Sequence, residues 1–145
     1  MKRLVFALMI TAGVANAQAL TLNQIAVEPD LERRSRFAVE FAQAQVGIAL
    51  SAYQEADAEA ARAALAKIPE AVDISQASLT QTGKHARKKP KHFKRAEIET
   101  RKLLEDLKDA QRLLNFDERP DLDPIIKHVD GVNRELLLAI MQKKR

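Results

Sequence analysis

Residues 93–114 read FKRAEIETRKLLEDLKDAQRLL. Phe93, Ala96, Thr100, Leu103, Leu107, Ala110 and Leu114 recur at alternating steps of three and four. This spacing puts all seven on one stripe of an α-helix, with mostly charged residues on the other faces. Pro90 can open that helix, because the first turn has no use for the N–H that proline lacks. No convincing period-two alternation, the mark of a half-buried strand, occurs anywhere in the chain. The class that follows is all-α.

On the C-terminal side, Asp117 to Asp123 (DERPDLD) reads as a turn. Asp123-Pro124 reads as N-cap and first helical position of a last helix, with Ile125, Val129, Val132, Leu136 and Ile140 as its buried stripe. On the N-terminal side, residues 18–29 read as an extended lead-in ending at Pro29. Asp30 caps a long first helix to about Glu55. Phe37, Phe41, Ala44, Ile48 and Ala52 form one stripe of that helix; Val39, Val46, Leu50 and Tyr53 form a second. Gly47 costs helix propensity there and is expected at a close helix contact.

Asp57 caps an Ala-rich segment with Ala58, Ala61, Leu65 and Ile68 on one stripe. Pro69 suits the first position of a further segment over 70–82, stopped by Gly83. Taken as one arm kinked at Pro69, these segments match the others in length, roughly 30–40 Å at ~1.5 Å per residue. The expected architecture is an antiparallel up-down helical bundle of four arms, one domain over residues 30–145.

The first seventeen residues read as a cleavable signal peptide. Lys2 and Arg3 precede an uncharged apolar run, Leu4 to Val14, and Ala15-Asn16-Ala17 offers a small-x-small cleavage site before Gln18. The run is too short for the ~20 residues that span a bilayer, so export to the periplasm or the outside is expected. The absence of cysteine excludes disulfides, a lipobox-type anchor and covalent c-type haem. The absence of a second long apolar segment leaves residues 18–145 without a spanning helix.

Without Lys2 and Arg3, 22 basic residues stand against 20 acids. That balance hides a local excess. Residues 84–95 (KHARKKPKHFKR) hold seven Lys and Arg, two His and no acid. In an up-down bundle this cluster shares a pole with Arg33, Arg34, Arg36 and with Lys143, Lys144 and Arg145. Glu55, Asp57, Glu59, Asp117, Glu118, Asp121 and Asp123 gather at the other pole. Cations in the first turn of a helix oppose its dipole, a local rule broken without visible compensation. Lys84, Arg87, Lys88, Lys89, Lys91, Lys94 and Arg95, supported by Lys143 to Arg145, are therefore the expected binding residues for an anionic partner. An envelope polyanion, an anionic lipid surface or an acidic protein face would fit. Nucleic acid is disfavoured, since only Phe93 in the cluster offers a stacking ring.

Other chemistry has less support. His85 and His92 lie among cations and His128 stands apart, so no metal site and no cofactor are expected. DERPDLD lacks the glycine and terminal acid of a calcium loop. No nucleophile elbow, phosphate loop or catalytic cysteine occurs, which points away from an enzyme. The alternative class is a structural or chaperone-like interaction module that holds a partner in an apolar helical groove.

Gly47 to Pro69 (GIALSAYQEADAEAARAALAKIP) resembles the centre of a tetratricopeptide repeat, with small and aromatic residues, a turn at Asp57, then Ala61 and Leu65. It spans only about a sixth of the chain with no second copy, whereas such repeats need stacked neighbours. The resemblance implies a helical hairpin and assigns no family.

Overall fold

A computed structural model describes residues 20–142. The positions expected to form a signal peptide and its cleavage site, including Ala15, Ala17 and Gln18, and the basic residues Lys143, Lys144 and Arg145 lie outside that range. Among the described residues the chain is entirely helical: α1 (Leu22–Ala26), α2 (Leu31–Gln54), α3 (Ala58–Gln81), α4 (Lys91–Leu113) and α5 (Asp123–Met141), with a 3-10 turn over Arg119–Leu122. None of these helices is long and apolar enough to cross a membrane.

The stripe of α4 is buried throughout, from Phe93 to Leu114, and Leu103 and Leu107 are completely enclosed. In α5, Ile125, Val129, Val132 and Leu136 are buried as their spacing requires. The register of α2 differs from one of its two expected stripes. Ala38, Val39, Ala42, Val46, Ala49 and Tyr53 face the core, while Ala44 is exposed and Ile48 is 52% exposed. Small residues decide this register. Ala38, Ala42 and Ala49 meet a helix that presents Ala61, Ala64 and Ala71 from its own side. Ser35 and Ser75 add a buried hydroxyl–hydroxyl hydrogen bond of 2.8 Å between α2 and α3.

Four local expectations need correction. The lead-in is not extended throughout, because Thr21 and Gln24 form a reciprocal capping box that opens α1. Ile25 then seats α1 on the core, at 1% exposure. Pro69 opens no helix; it lies inside the single helix α3. An internal proline forfeits a backbone hydrogen bond and costs ~3 kcal/mol. Burial of Ile68, Ala71 and Val72 on either side of it opposes that cost. Asp123 is the first residue of α5 rather than its cap, and its carboxylate instead accepts from Gln111 Nε2 at 2.7 Å.

Gly47 makes no close contact. A methyl group built on it meets nothing within 4 Å, and the same holds for Gly131 in α5. Both positions are helical and exposed, so each glycine only adds entropy to the unfolded chain. Gly47→Ala and Gly131→Ala should each raise stability by about 0.5–1 kcal/mol. Urea midpoints of the single and double variants check this, and unchanged midpoints would refute it.

α2 packs most extensively on α3, and α4 on α5; α2 also touches α4, and α3 touches α5. The directions follow from particular contacts. Ser35, early in α2, meets Ser75, late in α3. Glu32, at the start of α2, meets His92, at the start of α4. Gln111, late in α4, meets Asp123, where α5 begins.

Candidate functional site

Two of the three expected basic regions come together, and an acidic residue organises them. Asp30 caps α2: its Oδ1 accepts from the backbone N–H groups of Glu32 at 3.1 Å and Arg33 at 3.0 Å. Those bonds hold its carboxyl below the usual range, led by the bond from Arg33. Glu32 then projects from the first turn and pairs with both Lys84 and His92, the latter at 2.7 Å. Its pKa is also lowered, chiefly by the hydrogen bond from Lys84. Arg33 lies 3.7 Å from Glu28, and Arg34 Nε donates to the Glu28 carbonyl at 2.8 Å. Nothing in the local sequence gives Glu32 a long-range role. Its signal was an acid two residues after a cap, which the helix dipole explains without any long-range partner.

The 84–90 segment is built as a sequence of turns. Gly83 adopts a φ of +69°, where a side chain is strained and glycine is not. The Lys84 N–H donates to Thr82 Oγ1, while those of Lys88 and Lys89 both donate to the His85 carbonyl. Ala86 is buried and pins the segment to the core. Arg87, Lys88 and Lys89 consequently face water. Helix α4 then starts at Lys91 after Pro90, with no side-chain cap. Its first N–H groups have no intrahelical acceptor, and the first acceptance within the helix is by the Pro90 carbonyl, from Lys94 at 2.7 Å.

The expected binding residues divide by environment. Arg87, Lys88, Lys89, Lys91 and Lys94 are all exposed, and among the described residues none meets a carboxylate at ion-pair distance. Lys84 is engaged by Glu32. Arg95 is half-buried beside Glu99 at 3.4 Å, facing α2. Burial pushes the Glu99 carboxyl above its usual range; Arg95 opposes that shift and the Glu40 carboxylate adds to it.

At the far end of the molecule the acids are not simply solvated. Asp121, in the 3-10 turn, accepts from Tyr53 Oη at 2.7 Å and from Arg62 Nε at 3.0 Å, joining the end of α2 and the start of α3 to the α4–α5 connection. Asp57 caps α3 through the Ala60 N–H at 3.0 Å. The remaining histidine, His128, pairs with Asp73 at 2.7 Å between α5 and α3. Among the described residues no group of three potential metal ligands converges. No family model, curated protein or solved structure matches this chain.

Proposed function

We propose that this is an exported, non-enzymatic helical protein that binds an anionic partner through the pole where α2 and α4 begin. One observation carries the reading: Arg87, Lys88, Lys89, Lys91 and Lys94, five exposed cations within eight residues, surround an uncapped helix start. A helix N-terminus supplies positive potential and free N–H groups, so the five charges and the backbone favour the same ligand. Arg33 and Arg34 reinforce the field from α2, whose start is tied to this pole through Glu32.

In this reading the four long helices form an antiparallel up-down bundle, ordered α2, α3, α5, α4 around its axis. The 82–90 connection then crosses the end of the bundle from α3 to α4 and spreads its cations over that end. Export through a cleaved leader at residues 1–17 belongs to the same proposal, since it sets which anions the pole would meet. Lys143 to Arg145 follow α5 in the sequence and would add to the pole.

The test uses protein purified from cells expressing the full chain. Replacing the five exposed cations with glutamine should weaken binding to polyphosphate at least ten-fold at low salt. It should also flatten the salt dependence, because fewer counterions are released. Equal affinity and equal salt slope in the two proteins would overturn the reading.

A further inference from the structure

Four large apolar side chains are exposed on the outer surface of α4 and α5 beside the basic pole. Leu138 is 63% exposed, Met141 66%, Ile98 54% and Leu137 41%. Their common location follows from the contacts between the two helices. Asn133 Nδ2 donates to the Glu97 carbonyl at 2.8 Å, and Gln111 Nε2 to Asp123 at 2.7 Å. Position therefore rises along α4 as it falls along α5. Leu137 and Met141 lie one and two turns beyond Asn133 on its side of α5, level with the first turns of α4. Ile98 and Lys94 share a stripe of α4, four residues apart, next to Glu97. Lys91 lies one turn before Lys94, and both lysines are exposed.

We infer that this face docks on an anionic lipid bilayer, with Leu137, Leu138, Met141 and Ile98 entering the headgroup–acyl boundary and Lys91 and Lys94 meeting lipid phosphates. The inference rests on the anionic-partner reading and narrows it to one partner. A free polyanion or an acidic protein face would reward the lysines but gives no reason for leucine and methionine beside them. A bilayer rewards both, because an interfacial surface combines apolar residues with flanking cations. Charge complementarity also selects the lipid: anionic headgroups attract each nearby lysine by about 1 kcal/mol, or about five-fold in affinity. The sequence that follows Gln142, Lys143-Lys144-Arg145, adds three further cations directly after the apolar residues of α5.

The experiment is sedimentation with phosphatidylcholine vesicles, with and without phosphatidylglycerol, run beside polyphosphate binding. The protein is purified from cells expressing the full chain. Far-UV circular dichroism confirms that each variant is folded. Leu137→Ser/Leu138→Ser/Met141→Ser should reduce binding to the anionic vesicles at least ten-fold and leave polyphosphate binding unchanged. Lys91→Gln/Lys94→Gln should reduce both. If the apolar variant binds vesicles as well as the parent while the lysine variant binds them less, the lipid inference falls and the anionic-partner reading stands. If neither variant changes either binding, both fall. Concentration-dependent self-association without vesicle binding, abolished by the apolar variant, would assign the face to a second copy and overturn the inference.

Discussion

Leu107→Ala should destabilise the protein by about 2–5 kcal/mol, the range for deleting a fully enclosed leucine side chain from a core that relaxes only partly. Leu107 has no exposure and belongs to the contiguous cluster that joins α2, α3, α4 and α5. Truncation removes apolar contact area and leaves a void that rigid helices on every side cannot close. Domains of this size are stable by only about 5–15 kcal/mol, so the loss is a large fraction of the whole. Two companions make the result interpretable. Leu107→Met keeps the volume and should cost less than about 1.5 kcal/mol. Ile98→Ala, on the opposite face of the same helix, should stay within about 0.5 kcal/mol of the parent. Urea unfolding followed by circular dichroism measures all three. A small effect at Leu107 with a large one at Ile98 would mean that α4 packs by the wrong face.

The second large effect is expected at the opposite pole. Asp121→Ala should cost about 2–3 kcal/mol near neutral pH, because it strips the acceptor from Tyr53, a phenol only 7% exposed. An orphaned buried hydroxyl costs about 1–3 kcal/mol, and hydrogen bonds to charged groups lie at the stronger end. The pH dependence identifies the cause. Tyr53, first, and then Arg62 hold the Asp121 carboxyl below its ordinary value of 3.8, against the desolvation that burial imposes. A depressed folded pKa gives stability that is present in full above the unfolded value and disappears as pH falls through the folded one. Asp121→Asn should therefore differ from the parent at neutral pH and converge on it in acid below about pH 4. Burial, and then Asp121, raise the Tyr53 pKa above its ordinary value of 10.0. That contribution is present below pH 10.0 and is lost as pH rises beyond it. Parallel denaturation midpoints for parent and Asp121→Asn across the acid range would remove Asp121 from this role.

The parts of the fold that were legible in the sequence are those where large apolar residues repeat without ambiguity. In α4 the spacing identified the buried stripe from Phe93 to Leu114, because most intervening residues are charged, but it missed Glu97 and Leu104, which are buried beside that stripe. In α2 it gave two stripes and so a broad buried face, because alanine is at home inside and outside. Ile48 falls on one of those stripes by its spacing, yet the core face goes to smaller side chains that let α3 approach. Pro69 shows tertiary packing overriding a local rule, since buried neighbours on both sides keep one helix where local geometry favours two. The α1 capping box was written in Thr21-x-x-Gln24, a short-range signal that the proline and the polar composition nearby obscured. At the basic pole the residue types were visible, but their division was not. Pairing of Lys84 with Glu32 joins residues 52 positions apart, and no spacing rule reaches that far.

The pairing of neighbours also sets how the chain reaches this structure. α2 with α3, and α4 with α5, are the most extensive contacts, and each pair is joined by a short connection. Most of the search is therefore local, and chains with such low contact order fold in roughly microseconds to milliseconds. Two hairpins can form independently and then meet. The slow event is then their docking, across the α3–α4 connection, where the positive charges of Lys84, Arg87, Lys88 and Lys89 must be held close together.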